Sequence, residues 1–333
     1  MKTKTHYFTF YLILLILVCN SANSSEAIQD KQHWFSLTLD NDIFIGSDSG
    51  YTNGLYLSFY ESSNTNKLEM PVLTRWMKSS LKEANPRLSY NATTFGQVIV
   101  TPSNIEDPTP NPNDIPYAGL AFLHQVGIQD YGVVADKASV TLGIVGPSSG
   151  AESTQKYIHE ITGSQQPKGW DYQVKDEIVF QVARGRAWKI WASENEHFDI
   201  VSGGDIKLGT LESSINVGSV IRYGRYMADT YSSVLLNDDR TTNPININNG
   251  WYFYAGVSAN YIGNLIYLDG NTFRESPSIG YDRLQFNGQF GLTYAFDGFS
   301  ISLARNNIDL KKDNKSLARL KEYGSMTFLW RLD

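Results

Sequence analysis

The chain has 333 residues, enough for one large domain or two ordinary ones. Its formal charge of −6, with no basic stripe, argues against a nucleic-acid partner. Aromatic content stands out instead: 20 Tyr, 16 Phe and 7 Trp fit an outer-membrane β-barrel, although a soluble secreted β protein shares this composition.

Residues 1–24 carry an export pattern. Lys2 and Lys4 form a basic start, and 8–18 is an apolar stretch too short to span a bilayer comfortably. Asn20-Ser21-Ala22-Asn23-Ser24 then supplies small residues for cleavage, so a signal peptide is expected to leave near 22–25. The single cysteine, Cys19, lies inside it, after Val18, where a lipoprotein signal would want Gly or Ala. The mature chain, 25–333, reads as one domain without cysteine. Disulfides, thiolate catalysis and zinc–thiolate sites are therefore not expected. No later stretch reaches 18 uninterrupted apolar residues, so no transmembrane helix is expected.

The first mature elements are two strands, 34–44 and 51–59, around the turn residues Gly46-Ser47-Asp48-Ser49-Gly50. A hairpin symmetric about Ser47 puts Asp42 opposite Thr52 and Asn41 opposite Asn53. A carboxylate, an amide and a hydroxyl then gather at one strand end. Grouped hard oxygens suit Ca²⁺; a polar, solvated and inert hairpin tip is the other reading. Asn41 keeps register with Phe35, Leu37 and Leu39 on the apolar face.

Period-2 alternation continues along the chain. Trp251, Phe253, Ala255, Val257, Ala259 and Tyr261 share one face, opposite Tyr252, Tyr254, Gly256, Ser258 and Asn260. Similar patterns run through 212–226, 285–294 and 299–306. Apolar faces meet in the core of a sandwich, whereas in a membrane barrel they face lipid. About twelve strands are expected, near 34–45, 51–62, 92–102, 117–132, 135–146, 173–192, 197–210, 212–226, 249–263, 278–296, 298–308 and 318–331. The reading is all-β: an antiparallel transmembrane β-barrel with both termini at one end. The short joins 193–196 and 297–298 read as periplasmic turns. The long joins 63–91, 103–116, 147–172 and 227–248 read as outer loops. The last strand finishes Trp330-Arg331-Leu332-Asp333, with its aromatic three residues before the end.

One short helix is expected, in an outer loop. Ser149-x-x-Glu152 reads as a capping box and Gly163 as a stop, leaving about three turns over 151–162. Thr154, Ile158 and Ile161 form one face, while Gln155 and His159 share another at i, i+4. His33, His124 and His197 fall in or beside strands with no polar cluster nearby in sequence. His159 sits on a capped loop helix, which is expected to fold over the Asn41/Asp42/Thr52 strand end.

The chain resembles the outer-membrane lipid A 3′-O-deacylases, the LpxR-like proteins. The matching pieces are Asn41-Asp42, Tyr51-Thr52-Asn53-Gly54, Pro116-Tyr117-Ala118-Gly119, and Leu142 through Pro147 leading by Gln155 to His159 and Gly163-Ser164. Pro167-Lys168-Gly169-Trp170-Asp171 and Asp176-Glu177 follow. The resemblance implies a twelve-stranded barrel that hydrolyses the 3′-acyloxyacyl ester of lipid A with Ca²⁺, by chemistry similar to phospholipase A2. Carried over, His159 matches the general base, and Asn41, Asp42 and Thr52 match the site residues of the first two strands. Asp42 and Asn41 would then supply metal ligands, and Asn41 and Thr52 orienting hydrogen bonds. Lipid A, or lipopolysaccharide, in the outer leaflet is the implied partner, and a monomer is expected. Two departures stand out. Gln165 occupies the position, six after the histidine, where a known member of the family carries an acid. A basic pair of the third-strand loop lacks a counterpart in Ser103–Asp107, which bears on phosphate recognition. Other readings are an outer-membrane phospholipase or lipase on another ester, and a non-catalytic, porin-like barrel. No G-x-S-x-G elbow supports a serine hydrolase.

Overall fold

The computed structural model describes residues 31–45, 50–64, 68–81, 85–235, 249–310 and 322–332. The expected signal peptide lies outside them, as do turn residues 46–49 and the side chain of Thr52.

Twelve antiparallel strands close into one barrel, each paired with its neighbours in sequence and the first with the last. They are β1 (Lys31–Asn41), β2 (Gly50–Ser63), β3 (Leu88–Thr101), β4 (Ala118–Asp130), β5 (Val134–Val145) and β6 (Glu177–Ala192), then β7 (Phe198–Gly209), β8 (Glu212–Arg225), β9 (Gly250–Leu265), β10 (Leu284–Phe296), β11 (Phe299–Asp309) and β12 (Tyr323–Arg331). Closure between β1 and β12 runs from Trp34↔Arg331 to Asn41↔Gly324 and leaves no open sheet edge.

The alternation seen in sequence has a definite sense. On β9, Phe253, Val257 and Tyr261 are exposed, while Tyr252, Tyr254 and Asn260 are buried. On β10, Phe290 and Tyr294 face out, while Gln285, Asn287 and Thr293 are buried. A soluble protein would invert this pattern. Apolar side chains turned outward belong to a wall that meets hydrocarbon.

The polar interior is filled. Arg222 forks onto Asp199 at 2.9 and 2.6 Å, Lys137 lies 3.7 Å from Asp205, and Lys207 lies 3.3 Å from Glu212. Thr38 with Thr327, Ser58 with Thr94 and Thr293 with Ser302 add hydroxyl pairs across the strands. Arg222, Lys137, Lys207, Tyr90 and Tyr252 are all 2% exposed or less, so side chains rather than water occupy the lumen.

Two of the long joins are not outer loops. Both termini lie at one end, and the chain returns to that end after every even strand. The connections 64–87 and 226–249 therefore share it with the short turns 193–197 and 297–298. Parity, not length, decides the end. Segment 226–235 folds inward as a plug: Thr230 accepts from Arg222, and Tyr231 donates to Asp130 at 2.9 Å. The far end carries the connections 42–49, 102–117, 146–176, 210–211, 266–283 and 310–322.

Candidate active site

The hairpin register runs from Lys31↔Ser63 to Asp40↔Gly54, the pairing that symmetry about Ser47 requires. Trp34, Ser36, Thr38 and Asp40 are buried, with Ser325 donating to Asp40 at 2.7 Å. Asn41 thus keeps to the outer face, with Phe35, Leu37 and Leu39. The ladder stops there. Asp42 is not paired with Thr52 in the sheet, because the chain turns into a 3-10 helix, Asp42–Ile45, packed against β2 and β12. Asp42 itself is 1% exposed. Thr52 sits in a bulge, where Tyr51 pairs with Val100 and Asn53 with Ile99. Such bulges re-aim side chains at barrel rims and active sites.

The helix expected over 151–162 forms with those bounds and is here α1, Ala151–Thr162. Its start differs from the capping box. Ser149 ends a preceding 3-10 turn and donates to Gly146 O at 2.6 Å. The N-cap is Gly150, whose φ of 73° is left-handed, and Glu152 pairs with Lys156 instead. Gly163, with φ 72°, ends the helix as expected, its N–H bonded to His159 O.

α1 lies on the outside of the wall, over β3 and β4. Gln97 of β3 donates to Ser149 O at 2.8 Å. Ala151 packs with Ile99, Tyr117 and Trp170. Gly119 on β4 makes this approach possible: a Cβ there would stand 2.3 Å from both Ala151 Cβ and Ser149 Oγ. The buried face is Ala151 and Gln155, while Tyr157 and Ile161 are 65% and 67% exposed. Ile161 therefore does not face the wall. The polar stripe turns inward and the apolar residues outward, as on the barrel itself.

His159, half-buried, lies one turn beyond Gln155. Its Nδ1 is 2.5 Å from the carbonyl oxygen of Gln165. A carbonyl only accepts, so Nδ1 carries the proton and Nε2 presents a lone pair. Gln165 thus engages the histidine through its backbone. Gln155, 1% exposed, accepts from the Trp170 indole at 2.8 Å, while its own Nε2 is buried with no hydrogen-bond partner.

Segment 166–176 wedges this helix in place. The Trp170 ring lies 4.9 Å from Tyr117, centroid to centroid. Tyr117 donates to Ile105 O at 3.0 Å, and Lys168 N donates to the same oxygen at 2.8 Å. Burial pushes the Tyr117 phenol up to about 12, so it stays a neutral donor. Asp176 accepts from Ser148 N and Oγ at 2.7 and 2.8 Å, and Glu177 accepts from Asn271 and Thr272. Both carboxylates hold loops. The sequence pieces around Tyr117, Gly119 and Trp170 were visible as motifs, but their joint task of seating α1 was not. The one local signal was a glycine at an outward position in a strand.

His124 is a core residue, bonded to Thr141 at 2.8 Å, while His33 is exposed. Among the described residues no three His, Cys, Asp or Glu side chains group as a metal cluster.

Residues 9–332 match the family described as outer membrane protein LpxR. The chain belongs to the LpxR family. Among solved structures it is similar to LpxR from Salmonella typhimurium, at 15% identity over 89% of this chain and 99% of that one, with a TM-score of 0.70. At that identity the likeness shows the shared twelve-stranded fold. Further similarities are the translocator domain of the autotransporter NalP from Neisseria meningitidis, at 8% identity over 98% and 96% of the two chains with a TM-score of 0.41, and the β domain of the Bordetella autotransporter BrkA, at 9% over 91% and 99% with a TM-score of 0.40. No curated protein matches the chain. Membership of this family places the barrel in the outer membrane.

Proposed function

We propose that this barrel is an outer-membrane lipid A deacylase that hydrolyses the 3′-acyloxyacyl ester, with His159 as general base. The observation that carries the reading is the Nδ1 contact of His159 with Gln165 O, on a helix seated against the lipid-facing side of the wall. A neutral imidazole takes a proton from water, and a fixed tautomer keeps Nε2 ready to do so. Water then adds to the ester carbonyl, the bond from the carbonyl carbon to the sugar 3′-oxygen breaks, and the proton taken by His159 passes to that oxygen, which frees the acyloxyacyl chain as a carboxylic acid. Asn41 faces the same side of the wall as α1, where acyl chains lie, and Tyr157 and Ile161 are exposed on that helix. Asn41 and Thr52 are assigned to orienting water and ester by hydrogen bonds. The buried Nε2 of Gln155 offers a further donor beside the base.

Ca²⁺ is the proposed cofactor. The Asp42 carboxylate and the Asn41 amide oxygen are hard donors of the kind it takes, so the residues present fit a site of few protein ligands. Such a site draws the remainder of about six to eight oxygens from backbone, water and substrate. Bound there, the ion would polarise the ester carbonyl as a Lewis acid.

A phospholipase-type activity on another outer-leaflet ester is the second reading. The loop 102–117 contains no Lys or Arg but has Glu106, Asp107 and Asp114, which suits a substrate with fewer phosphates than lipid A. A porin role has less behind it, because the lumen is filled.

The test is mass spectrometry of lipid A from cells making the wild-type chain, His159→Ala or Asp42→Ala. Loss of one acyloxyacyl unit with wild type alone supports the reading. Unchanged lipid A in all three, with the barrel folded in the outer membrane, overturns it. Phospholipid hydrolysis in the wild type alone would then favour the second.

A further inference from the structure

The connection 64–87 does something different from its partner at the same end. Its segment 68–81 lies on the outside of the barrel. Met70, Met77 and Leu81 are buried against Ala138 and Val140 of β5, with Val182 of β6 beside them. Ala138 and Val140 alternate with Lys137, Ser139 and Thr141, which point into the lumen, so the contact is on the outer wall. On β6, Val182 shares its face with the exposed residues Phe180, Ile178 and Trp188. Hydrogen bonds pin the strap to three strands, β3, β4 and β6. Asn91 donates to Glu69 O at 2.6 Å, Leu73 N to Gln125 at 3.0 Å, and Arg184 Nη2 to Ser80 O at 2.9 Å. Gly127 lets it lie close, since a Cβ there would be 2.9 Å from Met70 Cε.

The wall beneath is polar where a barrel wall should be apolar. Asn91, Thr93, Gln125, Asp136, Arg184 and Arg186 face outward there. Asp136, fully buried, takes Arg186 at 2.6 Å and Arg184 at 3.1 Å. Facing hydrocarbon, such groups are costly. Asn91, Gln125 and Arg184 instead meet the strap's backbone, Gln125 also reaches Thr93, and Arg186 pairs with Asp136.

This sector is also a gap in the aromatic girdle of the termini-bearing end. Elsewhere that girdle is dense: Phe35 packs with Phe59 and Trp330, Trp330 with Phe299, and Trp251 with Tyr223 and Phe253. It ends at Phe59 on β2 and resumes at Trp188 on β6. The outward residues between, on the lower halves of β3 to β5, include no aromatic, and Tyr131 in the β4–β5 turn, whose hydroxyl donates to Gln129, is the ring that borders them. The strap supplies another. Trp76 is 66% exposed and Val72 73% exposed. The Trp76 indole N–H is satisfied by Leu73 O at 2.8 Å, so the ring enters a less polar layer without an orphan donor. Arg75 and Lys78 flank it, Arg75 within 3.2 Å of the exposed Glu69.

We propose that segment 68–81 is an interfacial strap that completes the girdle and docks glycerophospholipid headgroups of the periplasmic leaflet, with Val72 and Trp76 at the acyl boundary and Arg75 and Lys78 on the phosphates. The occupant follows from continuity: the strap's outer face extends a lipid-facing belt on both sides, and its cations border its apolar residues. This inference does not depend on the deacylase reading.

The mature chain is expected to lack cysteine, so one introduced thiol takes a spin label cleanly. The experiment uses the mature chain folded in phosphatidylethanolamine–phosphatidylglycerol vesicles, labelled at Val72→Cys. Controls are Val217→Cys on the lipid-facing wall and Glu194→Cys on a turn at the same end. The label at 72 is expected to be open to oxygen and closed to a water-soluble nickel relaxant, as at 217. Arg75→Gln with Lys78→Gln should raise its nickel accessibility severalfold, while leaving the label at 217 unchanged. Nickel accessibility at 72 equal to that at 194 overturns the proposal. So does an unchanged label in the double variant. Protection at 72 in native outer membranes but not in vesicles also overturns it, and assigns the strap to a protein partner.

Discussion

Gly119→Ala puts the seating of α1 to the test. The added Cβ would stand 2.3 Å from Ala151 Cβ and Ser149 Oγ, where ordinary contact begins at 3.4 Å, so the gap must open by 3.4 − 2.3, about 1.1 Å. Ser149 is held by Gly146 O and by Gln97, and Ala151 is the first residue of a rigid helix, so the helix moves as a body. His159 lies eight residues further along, about 12 Å at 1.5 Å per residue, and is carried with it. A displacement of about 1 Å at a reacting group costs roughly 100-fold in rate, or about 2.7 kcal/mol in the barrier. Overpacking itself costs about 1–3 kcal/mol, which a barrel closed by twelve ladders tolerates. The assay is ester hydrolysis on lipid A micelles with Ca²⁺, alongside the heat-induced gel shift that reports a folded barrel. Gly280→Ala is the control, since a Cβ there meets nothing within 4 Å. A folded Gly119→Ala protein within about threefold of wild-type activity would refute the argument that wall contact positions the base.

Trp170→Phe keeps the ring against Tyr117 but removes the donor to buried Gln155. Leaving that oxygen unsatisfied costs about 1–3 kcal/mol, so hydrogen exchange over 151–162 should quicken and activity fall about tenfold or more. Unchanged exchange would show the bond to be idle. Gln165→Ala should leave activity within a few-fold of wild type, because His159 bonds the backbone at 165 and not the side chain; a loss as deep as in His159→Ala would contradict that geometry. Gln165→Glu should lower the Ca²⁺ concentration for half-maximal activity, and a titration showing no change or a rise would dismiss the added carboxylate as relevant to the ion. Asp42→Asn should raise the same midpoint, and chelation should silence the wild type reversibly; activity that survives chelation would remove Ca²⁺ from the scheme.

Much of this was legible before the fold was seen. Strand positions follow from alternation, and most of their ends lie within about four residues of those expected, though β10 begins about six later. α1 was placed at its observed bounds because Gly163 is a strong stop. Its start was misread, since Ser149-x-x-Glu152 matches a capping box while the backbone at Gly150 is left-handed and excludes one. The joins 63–91 and 227–248 lie at the end that their length argues against, because strand parity, which the strand count already contains, fixes the end of a connection. Asn41 was correctly put on the outer face, as periodicity alone settles a face within one strand. The pairing of Asp42 with Thr52 was not legible, because a 3-10 turn and a bulge break the ladder at that point.

By itself, the sequence determined the number and polarity of the strands and which residues share a face, for these are properties of a single strand with a period of two. Tertiary structure decided which face is inside. The same alternation serves a sandwich core or a lipid-facing wall, and only closure of β1 on β12 chooses between them. It also turned the Gln155 stripe of α1 to the wall, sent 226–235 into the lumen and laid 68–81 on the outer surface. Those choices rest on contacts between residues far apart in the chain, such as Gly119 beneath Ala151 and Gln125 beneath Leu73, and no local pattern encodes them.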